Sequence, residues 1–194
     1  MSSARVLSIA RPEVRRRALP LAYPDYPLER RVRSNAHDFQ LAFAQEAAAR
    51  IDQPFDDALL APGYAGLLVL GRHEQALKPP VDVLIALYPW KLEVGMARVR
   101  CQEGDVTREP VMRVTVNVPR FNAQAVREDL AGRTDEPVSL TFEYDRAVIT
   151  TKARLARLLG YEQSLQDFTR GQAEASIRLS EWAPVPPPEG PAAA

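Results

Sequence analysis

Apolar and polar positions follow two rhythms along this chain, and each change of rhythm marks an element. The stretch Leu59-Leu60-Ala61-Pro62-Gly63-Tyr64-Ala65-Gly66-Leu67-Leu68-Val69-Leu70 holds two apolar runs separated by turn residues. Proline presets φ for the first central position of a tight turn, and glycine tolerates the positive φ of the second. Pro62-Gly63 therefore predicts the bend of a β-hairpin buried on at least one face. Upstream, Phe39, Phe43, Ala47 and Ile51 recur every fourth residue. That spacing predicts a helix from about Ala36 to Ile51, capped by Asn35, with Asp38 in the first turn where the helix dipole favours a negative charge.

After the hairpin, Arg72 to Leu87 reads as helical with an interruption at Pro79-Pro80, and Val81, Leu84, Ile85 and Tyr88 keep helical spacing. Trp90 to Val99 alternates as a strand, Gln102 to Asp105 is a turn, and Val111 to Val118 places Met112, Val114, Val116 and Val118 on one strand face. Pro119 opens a short helix through Phe121, Ala125, Val126 and Leu130, ended by Gly132. Pro137 to Tyr144 reads as the last strand. Asp145 then caps a helix through Val148, Ile149, Ala153, Ala156 and Leu159, with Gly160 as its stop. Thr169-Arg170-Gly171-Gln172 fits a capping box before a further helix reaching Leu179. At the amino end, Arg5 to Ile9 can form a short strand. Pro12, Pro20, Pro24 and Pro27 then punctuate the chain too densely for a helix. The expected division is a basic, proline-rich strand and arm over 1–34, an α+β core domain over 35–160, a helical extension over 161–182 and a disordered proline-rich tail over 183–194. A mainly antiparallel sheet with helices on one face accounts for this order.

Composition narrows the chemistry. Hydrophobic residues make up 46% and charged residues 26% of 194, which supports a packed core. The formal net charge of +0 argues against wholesale polyanion binding and leaves room for a local patch. One cysteine, Cys101, excludes an internal disulfide and a Cys-rich zinc site, and reads as a small, partly buried residue. His37 falls in the exposed first turn of the predicted helix and reads as a surface histidine, and His73, with no partner histidine or cysteine nearby, reads as structural. Neither an apolar span long enough for a membrane helix nor a secretory leader is apparent, so a cytoplasmic protein without a membrane partner is expected. The adjacent acids Asp56-Asp57 point to opposite strand faces and do not converge on a metal. No phosphate loop or serine elbow occurs, and neither a cofactor nor catalysis is expected.

The most basic stretch carries Arg5, Arg11, Arg15, Arg16, Arg17, Arg30, Arg31 and Arg33 against Glu13, Asp25 and Glu29, with Tyr23 and Tyr26 interleaved. Arginine with tyrosine suits phosphate contact plus base stacking. Arg11, Arg15, Arg16, Arg17, Tyr23, Tyr26, Arg30, Arg31 and Arg33 are therefore the candidate residues for binding nucleic acid or another partner.

The segments Ala61-Pro62-Gly63-Tyr64-Ala65-Gly66-Leu67-Leu68, Leu87-Tyr88-Pro89, the strand with Gly95, Asn117-Val118-Pro119-Arg120-Phe121 and Thr169 with Gln172 together resemble the SatD-like family. That resemblance implies a ferredoxin-like, nucleotidyl-cyclase-like α+β fold with helices packed on one face and further C-terminal helices. The family's hairpin acids would fall on Pro62 and Gly63, and its first-strand Asp near Ala10, so metal-dependent nucleotidyl transfer would be absent. Prolines begin soon after Trp182, where its helix-turn-helix would continue. The resulting expectation is a non-catalytic interaction or regulatory module, bound to a protein partner or to itself as a homodimer. The alternatives are a nucleic-acid binder using the basic arm and an enzyme with an unrecognised site.

Overall fold

The computed structural model describes residues 23–51 and 54–186. Its first half runs β1 (Leu28–Ser34), α1 (Gln40–Arg50), β2 (Ala58–Gly63), β3 (Gly66–Gly71), α2 (Lys78–Leu87) and β4 (Leu92–Val99). The second half repeats that order with β5 (Arg108–Pro119), α3 (Ala123–Ala131), β6 (Ser139–Glu143), β7 (Arg146–Arg154), the short α4 (Leu155–Leu158), α5 (Tyr161–Thr169) and β8 (Glu174–Pro184). Each half forms its own antiparallel four-stranded sheet, in the order β2-β3-β1-β4 and β6-β7-β5-β8. The two orders are the same once the strands are renumbered. The fold is α+β and ferredoxin-like, as expected, but the pattern is used twice in tandem rather than once with trailing helices.

Strand alternation explains the layers. Leu28 and Val32 of β1 with Leu67 and Val69 of β3 meet Phe43, Ala44 and Ala47 of α1 and Val81 and Leu84 of α2. In the second half, Met112, Val114, Val116 and Val118 with Ala147 and Ile149 meet Val126 and Leu130 of α3 and Leu158, Tyr161 and Leu165 behind them. Both sets belong to one contiguous buried cluster, so the halves share a core.

The hairpin forms, two residues later than expected. Pro62 pairs with Leu67 and Gly63 with Gly66, so Tyr64-Ala65 is the two-residue bend. Pro62 is tolerated inside β2 because β2 is an edge strand with one side of its backbone unpaired. Gly66 has φ +120°, and a Cβ there would lie 2.5 Å from the Val32 carbonyl oxygen, so no other residue fits without displacing the sheet.

Other expectations are corrected. The first helix starts at Gln40 rather than Ala36, with no side-chain cap from Asn35. The Gln40 amide instead clasps Ser34, accepting from its N–H at 3.0 Å and donating to its C=O at 2.8 Å. Phe39, expected on the buried stripe, is 80% exposed. Pro79-Pro80 does not interrupt a helix; it sits in the first turn of α2, where missing N–H groups cost nothing. Residues 146–154 are strand β7, not a helix. Val148, Ile149, Thr150 and Thr151 are β-branched, and the ladder to β5 runs in unbroken register from Val111–Arg154 to Pro119–Arg146. Thr169 to Gln172 ends a helix rather than starting one. Arg170 and Gly171 turn left-handed at φ 53° and 77°, and the chain leaves as β8, so no helix reaches Leu179 and no helix-turn-helix forms there. Buried Thr169 locks this corner, donating to the Leu165 carbonyl at 2.7 Å and accepting from the Ala173 N–H at 3.2 Å. Cys101 is exposed, not partly buried. The expected strand at Arg5 to Ile9 lies outside the described residues, as does residue 187 onward of the expected 183–194 tail, whereas Ala183 and Pro184 of that tail belong to β8.

Candidate functional site

Two surfaces concentrate polar side chains: the cleft between the halves and the solvent face of the second sheet. The cleft is open, with a volume of about 1000 Å³, and one wall is the outer edge of β8 from Glu174 to Leu179. Among the described residues β8 pairs with β5 alone, so this edge faces the cleft unpaired. The opposite wall comes from the first half, where the chain leaves β3 through Arg72, His73 and Gln75, with Asp57 and Asp25 beside them. Asp57 gathers the Arg72 guanidinium at 3.6 Å and His73 Nε2 at 3.4 Å.

The halves are tied at this cleft. Gly160 adopts a left-handed φ of 75° between α4 and α5, and its N–H donates to Glu74 Oε2 of the first half at 2.7 Å. Two residues on, Glu162 lines the cleft with one carboxylate oxygen buried and unpartnered. Burial raises its pKa above the ordinary carboxylate value, the His73 charge opposes that rise, and the nearby Glu74 charge adds to it. Below, the Tyr161 hydroxyl is fully buried, with burial holding its pKa well above the usual phenol range and Arg133 stacked 5.0 Å from the ring centroid. Among the described residues no group of three or more His, Cys, Asp and Glu side chains is placed to hold a metal ion.

The second surface follows from register. Arg113 of β5 lies opposite Lys152 of β7 on one side and Arg178 of β8 on the other. All three alternate with core residues and point away from the helices. Lys152 Nζ meets Glu181 Oε1 at 2.8 Å, while Arg113 and Arg178 form no ion pair with a described carboxylate. Arg154 is held by Glu109, and Arg146 is spent on Asn117 Oδ1 at 2.7 Å and on the carbonyls of Asn117 and Gln172.

The expected binding residues divide. Arg11, Arg15, Arg16 and Arg17 lie outside the described residues. Tyr23 and Tyr26 form a short turn whose carbonyls accept from the Arg100 guanidinium at 3.0 and 2.8 Å. The Tyr26 ring lies under Arg72, 5.4 Å from its guanidinium carbon, so this face of the ring is already taken. Arg30, Arg31 and Arg33 are strand residues of β1, not part of a loop. Arg30 shares the inner face with Leu28 and Val32, with Nε buried and unpartnered. Arg31 and Arg33 share the other face with Glu29, Glu93, Met96 and Arg98 around a shallow hollow of about 130 Å³, and Arg33 Nε donates to the Ala65 carbonyl at 3.1 Å. Sequence reasoning misses the cation row Arg178-Arg113-Lys152 because residues 146–154 and 174–179 read as helices. The alternation of Ala147, Ile149, Thr151 and Ala153 with Arg146, Val148, Thr150, Lys152 and Arg154 is the available signal.

The family-model match falls on the second half. Residues 106–190 match the family model described as elongation factor G C-terminus. That segment contains the whole of the second ferredoxin-like unit, from β5 to β8. Elongation factor 2 of Methanococcoides burtonii is 28% identical over 82 residues, 42% of this chain and 11% of the relative. The mitochondrial ribosome-releasing factor 2 of Danio rerio is 29% identical over 90 residues, 46% of this chain and 12% of the relative. Elongation factor G 2 of Streptomyces coelicolor is 32% identical over 83 residues, 43% of this chain and 12% of the relative. The matched stretches thus span only 11 to 12% of the length of these curated relatives. A crystal structure from Thermus thermophilus superposes with a TM-score of 0.58 at 14% identity, over 86% of this chain and 42% of that one, a likeness of fold alone.

These matches overturn the SatD-like, degenerate-cyclase reading. Its short motifs fall on the β2–β3 hairpin, the ends of α2 and β5 and the end of α5, and its C-terminal helix-turn-helix position is occupied by β8. The ferredoxin-like element of that reading stands. No helix among the described residues is long and apolar enough to cross a membrane.

Proposed function

We propose that this chain is a non-catalytic binding module that acts with the ribosome in the cytoplasm, as part of the translation machinery. The observation that carries this reading is the match of residues 106–190 to the elongation factor G C-terminus, which coincides with a whole folding unit rather than a fragment of one. Among the relatives, the Danio rerio protein is named for releasing ribosomes, which supports the ribosome as partner. The polar surfaces fit binding better than turnover. Their charged groups are mostly spent on each other or on backbone carbonyls, as at Asp57, Arg146 and Arg154. The shared core supports a rigid two-unit body that presents surfaces at fixed separation. Co-sedimentation of the purified chain with ribosomes and with separated subunits tests the reading. Saturable pelleting is expected, and a chain left in the supernatant at low salt with every particle refutes it.

A further inference from the structure

We propose that β4 is a self-pairing edge: two copies of the chain join along it, antiparallel about a two-fold axis at Gly95-Met96, into one continuous sheet. This association does not depend on the ribosome reading above. Among the described residues β4 pairs with β1 alone, and its other side has no backbone partner. An unpaired edge is a template for another strand unless something guards it. The other edges are less open: β2 carries Pro62, β6 is only five residues long, and β8 faces the cleft wall formed by the first half. β4 runs for eight residues without a proline.

The strand is complementary to itself. Arg30 pairs with Ala97 and Val32 with Val94, so Gly95 and Met96 bulge opposite Arg31. The bulge shifts the side-chain alternation by one residue. Leu92, Val94, Ala97 and Val99 therefore all pack toward the core, while Glu93, Gly95, Met96 and Arg98 are all exposed. Backbone direction follows the same division. The Asn35 N–H donates to the Lys91 carbonyl at 2.8 Å and the Arg100 N–H to the Pro27 carbonyl at 2.9 Å, so Lys91 and Arg100 turn toward β1. Counting inward from both, Leu92, Val94, Ala97 and Val99 turn their N–H and C=O groups to the open edge. Centred on the bulge, two copies set Leu92 against Val99 and Val94 against Ala97 as hydrogen-bonded pairs, with their apolar side chains on the core side. Glu93 then meets Arg98 of the second copy as a non-hydrogen-bonded pair, where side chains stand closest.

Every charge on this face fits that register. Neither Glu93 nor Arg98 forms an ion pair with a described residue. On β1, Arg33 lies beside Glu93 and Glu29 beside Arg98, so each row across the seam reads Arg33, Glu93, Arg98, Glu29 and alternates in sign at every step. Arg31 stands beside Gly95, three strand spacings or about 14 Å from its counterpart, beyond the range of strong repulsion. Past the strand ends Lys91 comes opposite Arg100 of the second copy. That guanidinium is already held by Glu29 at 3.7 Å and by the Tyr23 and Tyr26 carbonyls at 3.0 and 2.8 Å. The axis is normal to the sheet, so the α2 helices of both copies lie on one side of it, with apolar Val83, Ile85 and Leu87 exposed on each.

The experiment is sedimentation velocity of the full chain across about 1–200 µM, with Glu93→Arg and Arg98→Glu made singly, combined in one chain, and mixed as two chains. The wild type is expected to pass from monomer to dimer within that range. Either single reversal sets like charges against each other at both symmetric contacts and should weaken the dimer roughly tenfold or more. The double variant restores opposite charges and should recover dimerisation. An equimolar mixture of the two single variants should form heterodimers, since one chain then offers only arginine at the seam and the other only glutamate. Heterodimers also show that both variants are folded. Amide exchange of the wild type gives a second readout: the Leu92, Val94, Ala97 and Val99 N–H groups should gain protection as concentration rises, and those of β8 should not. A wild type that stays monomeric at about 200 µM, or a dimer in which those four amides gain no protection, overturns the proposal. So does a dimer that both reversals leave unchanged, or a mixture and a double variant that both stay monomeric.

Discussion

Alanine at Gly66 should be strongly destabilising and alanine at Gly63 nearly neutral, and the contrast tests how the first hairpin turns. With the bend at Tyr64-Ala65, Gly66 carries φ +120° and Gly63 lies in a strand conformation without a positive φ. A side chain at Gly66 meets two costs. Holding a non-glycine residue at that φ costs about 1–3 kcal/mol. Its Cβ would also approach the Val32 carbonyl oxygen to 2.5 Å, and relieving that contact pushes β3 away from β1, costing about 1–3 kcal/mol more. Gly66→Ala should therefore destabilise by about 2–6 kcal/mol. At Gly63 the nearest atom to a new Cβ is the Gly66 carbonyl oxygen at 3.4 Å, ordinary contact, so Gly63→Ala should stay within about 0.5 kcal/mol of wild type. In urea melts with a slope of about 2 kcal/mol per molar, Gly66→Ala lowers the midpoint by roughly 1–3 M while Gly63→Ala leaves it in place. Had Pro62-Gly63 formed the bend, Gly63 would need the positive φ and the order would reverse. Gly63→Ala proving the more damaging variant would refute the register and the reasoning with it.

The tie between the halves gives a second test. Glu74→Ala removes the charged acceptor of the Gly160 N–H and should cost about 1–3 kcal/mol in a denaturant melt, with Glu74→Gln recovering part of it; no loss would show that the bond contributes nothing. Thr169→Val leaves the Ala173 N–H without its acceptor and should also cost about 1–3 kcal/mol, whereas an unchanged melt would mean that the corner after α5 is held by its backbone alone. For Glu162 the sign follows from its raised folded pKa: the folded state holds the proton more tightly than the unfolded state. Stability is therefore lost as pH climbs from the ordinary carboxylate value through the raised one. Glu162→Gln should flatten that slope, raising the melting temperature at neutral pH relative to wild type and having little effect near about pH 4, and a variant less stable at neutral pH would contradict it. Cys101 is exposed as a residue, yet desolvation of its thiol, then the charges of Glu109 and Glu103, raise its pKa. Alkylation by iodoacetamide at neutral pH should run slower than for a free cysteine and accelerate above about pH 9, and a fast reaction at neutral pH would argue against those charges.

Several elements were legible in the sequence because their signal is local. The strict alternation Met112, Val114, Val116, Val118 can be satisfied only by a strand with one buried face, and β5 forms there. Phe43 and Ala47 at helical spacing appear on the buried face of α1, and the apolar runs around residues 59–70 pair as a hairpin. The α+β class follows from these pieces alone. Residues 146–154 show where local signal stops. Val148, Ile149 and Ala153 fit a helical stripe, and Ala147, Ile149, Thr151 and Ala153 fit a strand face equally well. The choice is made by β5 and β6, whose free backbone groups lie on either side. Duplication of the fold was likewise hidden, since the halves share strand order rather than residues. The cation row depends on both decisions: Arg113, Lys152 and Arg178 are far apart in the chain and become neighbours only once three strands take one register. Sequence alone determined which stretches could bury a face. The tertiary structure decided which faces met, because hydrogen-bonded partners and buried neighbours are supplied by distant segments that no local window contains.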